Sequence, residues 1–269
     1  MIPAGFEYEV ASSVDDAIRL LGQADDAKVL AGGHSLIPLM KLRFARPELL
    51  VDIGRIGELS YVRDAGDRIA IGALTRHHDV ASDPLLREHC AVVAEVAAQV
   101  GDPQVRHCGT IGGSVAHADP ASDLPTVLLA LDAELVARGA SGERTIAARD
   151  FFTGFLESAL DPREILTEIR VPKGASGTYV KFNRRAQDWA IVAVAAVQAS
   201  GSTRVALTKM GATPLRAGGV EAALAGGASA ADAAARAGEG TSPPTDANGT
   251  SEYRVHLAQV LTQRALAAI

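Results

Sequence analysis

The chain has 269 residues, of which 48% are hydrophobic, 4% aromatic and 22% charged, and its formal net charge is −6. This composition predicts a folded protein whose core is built from Ala, Val, Leu and Ile, in a mixed α/β architecture. Acidic and basic residues are interspersed, which argues against nucleic-acid binding. The two cysteines lack zinc-type or iron–sulfur-type spacing, so no metal site is predicted. The absence of a signal peptide and of an apolar run near ~20 residues predicts a cytoplasmic protein without a membrane span.

The chain begins with a small α/β unit. Ser13 followed by Asp16 resembles a capping box, and apolar residues recur after it at helical spacing. Residues 28–31 and 49–52 are short apolar runs typical of strands. These signals predict a first subdomain over residues 1–55.

A second subdomain is predicted over residues 56–173. It contains a strand at residues 68–72, a long helix at 84–100 and a shorter helix at 126–131. Further strands are predicted at residues 134–137, 144–147 and 164–171. In the last of these strands, simple alternation assigns Leu166 and Ile169 to opposite faces.

The remaining residues, 174–269, are predicted to form a C-terminal α+β subdomain. Apolar runs at residues 190–197 and 205–210 indicate strands, and a helix is expected after Ser251. The three subdomains together predict a mixed α+β fold.

Two glycine-rich segments are the features most suggestive of ligand binding. Glycine lets the backbone approach a phosphate closely, and clustered main-chain N–H groups at turns and helix starts hold anions. Serine and threonine hydroxyls in both segments can add hydrogen bonds. Either segment alone could be a plain turn, and neither matches the Rossmann or Walker pattern. The segments are Ala31, Gly32, Gly33, His34 and Ser35, and Thr110, Ile111, Gly112, Gly113 and Ser114.

With their surroundings, these segments resemble the FAD-binding medium subunit of carbon monoxide dehydrogenase and its relatives, a family that includes the FAD domain of xanthine dehydrogenase. The stretches that carry the resemblance are AGGHSLIPLMKLR and GTIGGSVAHADPASDLPTVLLALDA. The resemblance extends over IPAGFEY, DPQVRHCGTIGG, KFNRRAQDWAIVAVAAV and SEYRVHLAQVLTQRAL. It implies two N-terminal α/β subdomains that hold FAD and a C-terminal α+β subdomain with an antiparallel sheet.

The resemblance also implies roles for single residues. The two glycine segments would hold the FAD pyrophosphate, with Ser114 standing where asparagine is common. Asp123 would contact the cofactor, Leu166 and Lys181 would line the flavin, and Trp189 would lie beside the isoalloxazine in place of a tyrosine. Each has a structural alternative: a helix cap for Asp123, core packing for Leu166 and a solvated charge for Lys181.

Two histidines, His77 and His78, are interpreted as structural, at the polar start of a helix in the second subdomain.

The function implied by the resemblance is electron transfer. A small iron–sulfur subunit would deliver electrons from a large molybdenum-cofactor subunit, and FAD on this chain would pass them to an external acceptor, within a dimer of heterotrimers. No catalytic acid or base is then expected here. The substrate of the whole enzyme stays open among carbon monoxide, a nicotine-like heterocycle and an aldehyde.

Three alternatives remain at this point. One is a self-contained FAD oxidoreductase of the same fold. The second is a serine hydrolase using Ser114, His117 and Asp123, although Ala116 stands where the G-x-S-x-G elbow requires glycine. The third is a non-enzymatic binding module, which would leave the paired glycine segments unexplained.

Overall fold

The computed structural model describes residues 1–199 and 201–269 of the chain. Within this part, the protein has a mixed α+β fold with three main sheets that follow one another along the chain, and a short two-stranded ribbon. None of the helices described combines the length and the apolar character that crossing a membrane requires.

The first sheet is parallel, with strand order β1-β3-β2. Its elements are β1 (Glu7–Val10), α1 (Val14–Leu21), β2 (Ala27–Leu30), α2 (Leu36–Lys41) and β3 (Leu49–Asp52). The predicted cap of the first helix is confirmed, because the Ser13 hydroxyl accepts a hydrogen bond from the Asp16 amide at 3.1 Å. The apolar face of α1 is buried against the sheet, at roughly 1.5–3 kcal/mol for each large side chain.

The second sheet has five antiparallel strands in the order β4-β5-β10-β6-β7. Its strands and the separate β8–β9 ribbon are β4 (Val62–Asp64), β5 (Arg68–Gly72), β6 (Glu134–Gly139), β7 (Gly142–Ala147), β8 (Phe152–Gly154), β9 (Glu157–Ser158) and β10 (Ile165–Pro172). A 3₁₀ turn covers Gly57–Leu59, and the helices are α3 (His77–Ser82), α4 (Pro84–His89), α5 (Ala91–Ala97), α6 (Pro103–Cys108), α7 (Ile111–His117), α8 (Asp123–Ala130) and α9 (Ala148–Phe151).

Two predictions for this region are wrong in detail. The helix predicted at residues 84–100 is broken at Cys90, whose φ of −157° and ψ of 60° are not helical. The break lets α5 bury five of its seven residues, more than one face of a straight helix would. The residues before the second glycine segment form α6, and the segment itself starts α7, because Asp102 and Thr110 cap these two helices.

The alternation predicted for β10 is also interrupted. The register of β10 against β6 shifts between Leu166 and Glu168, which marks a β-bulge. Leu166 therefore joins the same core cluster as Ile169, whereas Ile165 packs against the first subdomain.

The third sheet is antiparallel, with order β11-β12-β13-β14. Its elements are β11 (Ser176–Phe182), β12 (Val192–Ala199), β13 (Ser202–Thr208), β14 (Leu215–Arg216), α10 (Gly218–Ala225), α11 (Ala230–Ala234) and α12 (Ser251–Leu266). Ala193 and Ala195 of β12 pack towards the second subdomain, while Val192 and Val194 pack against the C-terminal helices. Burial on both faces explains why this strand is a continuous apolar run.

Candidate functional site

The first glycine segment leaves β2 and packs on Cys108 and Gly109, directly before the second segment. A Cβ atom on Gly32 would be 2.7 Å from the Gly109 Cα and closer still to the Cys108 carbonyl oxygen. Gly33 has a φ of +72°, which disfavours any residue with a side chain. Both glycines are therefore required by the backbone geometry.

The second glycine segment is the first turn of α7, pressed against residues 73–75. The amides of Ile111 and Gly112 donate to the carbonyl oxygens of Thr75 at 3.0 Å and Ala73 at 2.9 Å. The amide of Gly113 donates to the Thr110 hydroxyl at 3.1 Å. These donors are already used, so they do not add to a phosphate site.

The first segment, by contrast, has amides to offer. Within the described part of the chain, the N–H groups of Gly33, His34 and Ser35 donate no hydrogen bond to the protein. Main-chain donors that are unpaired and grouped at a bend suit the oxygens of a phosphate. The first segment thus has unpaired main-chain donors, whereas the amides of residues 111–113 in the second are paired within the protein.

Two cavities open on either side of this contact and share Gly32, Gly33, Ser35 and Gly113. The apolar cavity has a volume of about 270 Å³. Residues with large aliphatic side chains line it: Val29, Leu36, Leu39, Ile53, Leu74, Leu160, Ile165 and Leu166. The polar cavity has about 260 Å³. Polar and aromatic side chains line it: His34, His77, Thr110, Ser114, Ser122, Asp123, Lys181, Gln187, Asp188 and Trp189.

A buried ion pair forms one wall of the polar cavity. Lys181 Nζ lies 2.8 Å from Asp123 Oδ2, and both side chains are 6% exposed. The Tyr179 hydroxyl donates to Asp123 Oδ1 at 2.7 Å and also contacts the Thr208 hydroxyl at 3.1 Å, which in turn donates to Thr126 at 2.8 Å. Burial raises the pKa of Asp123, and the charge and hydrogen bond of Lys181 oppose that rise. We take the pair as ionised, because each carboxylate oxygen has a donor.

All but one of the predicted site residues line these two cavities. Ile111 is the exception, since its side chain is fully buried in the core. Leu166 faces the apolar cavity, whereas Lys181 and Trp189 face the polar one. Leu166 and Lys181 therefore line different cavities. Lys181 is 94% buried in an ion pair, so the alternative of a solvated charge is wrong.

One residue that lines the polar cavity and one that contacts its wall were not among the predicted site residues. His77, which is interpreted as structural, lines the cavity. Tyr179, which holds Asp123, lies two residues before Lys181 on β11, and this spacing on one strand face was the available signal.

The hydrolase alternative does not fit this arrangement. The two oxygens of Asp123 accept hydrogen bonds from Tyr179 and Lys181, so the carboxylate does not orient His117. Ser114 faces the polar cavity and His117 the apolar one. The relay from carboxylate through imidazole to hydroxyl is absent.

A third cavity of about 730 Å³ lies next to the polar cavity. Asp188 and Trp189 line both. The third cavity also contains Phe155 from the β8–β9 turn and Lys209 from the end of β13. Trp189 is 54% exposed and stands at the boundary between the two.

Two cavities that are joined at a glycine bend with free amides define a dinucleotide-binding protein. The residues fit FAD: the bend suits its diphosphate, the apolar cavity a purine ring, and the polar cavity the carbonyl and nitrogen edge of an isoalloxazine. No cluster of three or more metal-ligating side chains occurs among the residues described.

Comparison with known proteins agrees with this class. The FAD binding domain of molybdopterin dehydrogenase matches residues 4–174, and the CO dehydrogenase flavoprotein C-terminal domain matches residues 177–269. The chain belongs to the FAD-binding medium subunits of the carbon monoxide dehydrogenase and xanthine dehydrogenase family of molybdenum hydroxylases, which are oxidoreductases.

Individual relatives match over nearly the full length. The chain is 44% identical to the carbon monoxide dehydrogenase medium chain of Hydrogenophaga pseudoflava, over 100% of the chain and 98% of that protein. It is 38% identical to the 6-hydroxypseudooxynicotine dehydrogenase complex subunit alpha of Paenarthrobacter nicotinovorans, over 99% and 95%. The solved carbon monoxide dehydrogenase of Hydrogenophaga pseudoflava superposes with a TM-score of 0.95 at 43% identity, covering 100% of this chain and 98% of that chain. The predicted family and fold class are thus confirmed.

Proposed function

We propose that this chain is the electron-transfer subunit of a cytoplasmic molybdenum hydroxylase, built with a small iron–sulfur subunit and a large molybdenum-cofactor subunit as a dimer of heterotrimers. FAD, when bound, can accept electrons singly and release them as a pair. The observation that carries the proposal is the pair of cavities joined at the free amides of residues 33–35.

Each part of the cofactor has a site in this proposal. The amides of Gly33, His34 and Ser35 hold the diphosphate, and the aliphatic cavity around Leu166 holds the adenine. Leu166, which the family resemblance implied at the flavin, contacts the adenine instead in this proposal. The polar cavity holds the isoalloxazine. There Lys181 faces the ring edge with its remaining N–H groups, since one ammonium proton is used by Asp123.

The surroundings of the flavin site support transfer rather than substrate chemistry. Asp123 is held in an ion pair and is not available as a base, and burial and Arg106 lower the pKa of His77 to about 4, so it is neutral and poorly basic. The third cavity offers an external acceptor an approach past Trp189.

Exposed apolar side chains support assembly with partners. Phe44 is 80% exposed and Leu42 is 51% exposed, on the segment that follows α2. Large apolar groups grouped on a surface indicate a protein interface.

The decisive experiment is to purify the chain alone and within its native assembly. Alone, it should bind one FAD and oxidise none of a panel of carbon monoxide, aldehydes and N-heterocycles. The assembly should contain molybdenum and iron–sulfur clusters and reduce the flavin on addition of substrate. Substrate turnover by the lone chain would support the self-contained oxidoreductase instead, and an assembly without these metals would refute the proposal.

A further inference from the structure

His77 is a buried polar side chain, and one of its ring nitrogens has no partner in the described part of the chain. It is the first residue of α3, only 4% of it is exposed, and it lines the polar cavity. Its Nδ1 atom is buried and has no hydrogen-bond partner among residues 1–199 and 201–269. Because an unpaired buried polar atom costs roughly 1–3 kcal/mol, its retention needs a reason other than packing.

The position of His77 is tied to the two glycine segments. Its amide donates to the Gly109 carbonyl oxygen at 3.0 Å. The ring edge faces the same residue, since a Cβ on Gly109 would lie 3.0 Å from Cδ2 and 3.3 Å from Nε2 of His77. Gly32 also packs on Gly109, since a Cβ on Gly32 would lie 2.7 Å from the Gly109 Cα. The imidazole therefore adjoins the point at which the two segments meet.

The charge state of this ring follows from its surroundings. Burial, with Arg106 and His34 nearby, lowers the pKa of His77 to about 4, so the ring is neutral at pH 7. A neutral imidazole carries one proton. At Nδ1 that proton would be buried without an acceptor, which favours the tautomer with the proton on Nε2, the atom that faces Gly109.

The diphosphate has more oxygen atoms than the first segment has unpaired amides. The amides of residues 111–113 are bonded to the protein, so side chains on the wall of the polar cavity are the candidates for further donors. A neutral donor on the rigid start of a helix adds a hydrogen bond without adding charge.

We propose that His77 binds the cofactor, donating a hydrogen bond from Nε2 to the diphosphate of FAD. The inference rests on the proposed function, since it assumes FAD in the two cavities. His77 is then a binding residue through Nε2, and Nδ1 stays buried within the fold.

The test compares three substitutions in the full-length chain, each stripped of FAD and titrated with FAD. The glutamine amide nitrogen can replace Nε2, whereas that of asparagine stays near Nδ1, and leucine removes both. We expect His77→Leu and His77→Asn to weaken FAD binding about tenfold to hundredfold, as loss of a hydrogen bond to a charged group does. His77→Gln should stay within about threefold of the wild type.

A second readout separates binding from packing. The melting temperature of the FAD-free His77→Leu protein should equal or exceed that of the wild type, because the unpaired nitrogen is gone. A packing role would lower it. At least one phosphorus resonance of bound FAD should move in His77→Gln. The control is His78→Gln, since His78 stacks on His107 with ring centroids 4.0 Å apart and does not line either cavity.

The outcomes are distinguishable. Unchanged FAD affinity in both His77→Leu and His77→Asn overturns the inference and leaves the proposed function standing. Equal weakening in His77→Gln and His77→Leu, together with a lower melting temperature, also overturns it, in favour of a packing role. Failure of the wild-type chain to bind FAD refutes the proposed function itself.

Discussion

Substitution of Gly32 by alanine should separate the two glycine segments. The added Cβ would lie 2.7 Å from the Gly109 Cα, whereas carbon atoms in ordinary contact are ~3.5–4.0 Å apart. The Gly109 Cα and the Cys108 carbonyl oxygen are both main-chain atoms, so rotation of a side chain cannot relieve the clash. The segments must move apart by about 1 Å.

A displacement of that size is large compared with the tolerance of a hydrogen bond. N–H to oxygen distances of ~2.7–3.2 Å become too long after a shift of about 1 Å. Loss of one or two bonds to a charged diphosphate costs roughly 2–5 kcal/mol, so FAD should bind about thirtyfold to a few thousandfold more weakly. Crowding should also destabilise the FAD-free chain by about 1–3 kcal/mol.

The assay is FAD titration of the stripped chain by flavin fluorescence, with thermal unfolding in parallel. Gly57→Ala is the matched control, since a Cβ there meets no atom within 4 Å. If the Gly32→Ala protein binds FAD with wild-type affinity and melts at the wild-type temperature, the contact between the segments is not as described and the reasoning fails.

Three further outcomes are expected. Lys181→Met leaves Asp123 buried without its cation and should lower the free energy of unfolding by about 3–5 kcal/mol at pH 8 in urea, with recovery in the Lys181→Met/Asp123→Asn double variant. Because burial raises the pKa of Asp123, this loss of stability should shrink as the pH falls, and a pH-independent loss would contradict the reasoning. The pKa of His77 is about 4 in the folded protein against an ordinary value of 6.5, so its contribution to stability is complete above pH 6.5 and is lost as the pH falls towards 4. Between pH 7 and pH 4, the free energy of unfolding of the wild type should fall by about 3 kcal/mol more than that of His77→Leu in urea titrations. Parallel pH profiles of the two proteins would refute the buried neutral ring. Ser114→Ala should retain bound FAD and full activity of the assembly, and loss of turnover with FAD still bound would revive a nucleophilic role for Ser114.

Local structure and family could be predicted from the sequence because their signals are short-range. The cap at Ser13 and the apolar stripe after it predict α1. The predicted start of the last helix is within one residue of Ser251, where α12 begins after its Thr250 cap. The predictions at Cys90 and in β10 were wrong because tertiary packing outweighs periodicity there. A helix break and a bulge each put additional apolar residues into the core.

The groups that form the site could be predicted from the sequence only in part. The sequence by itself determined that two glycine segments exist, and its patterns placed one of them after a strand. Only the tertiary structure decided that the amides of residues 111–113 are used by residues 73, 75 and 110, that Leu166 and Lys181 line separate cavities, and that His77 reaches the meeting point. The physical reason is that hydrogen-bond donors are left free or consumed by partners distant in the chain. Local propensity carries no information about such long-range pairing.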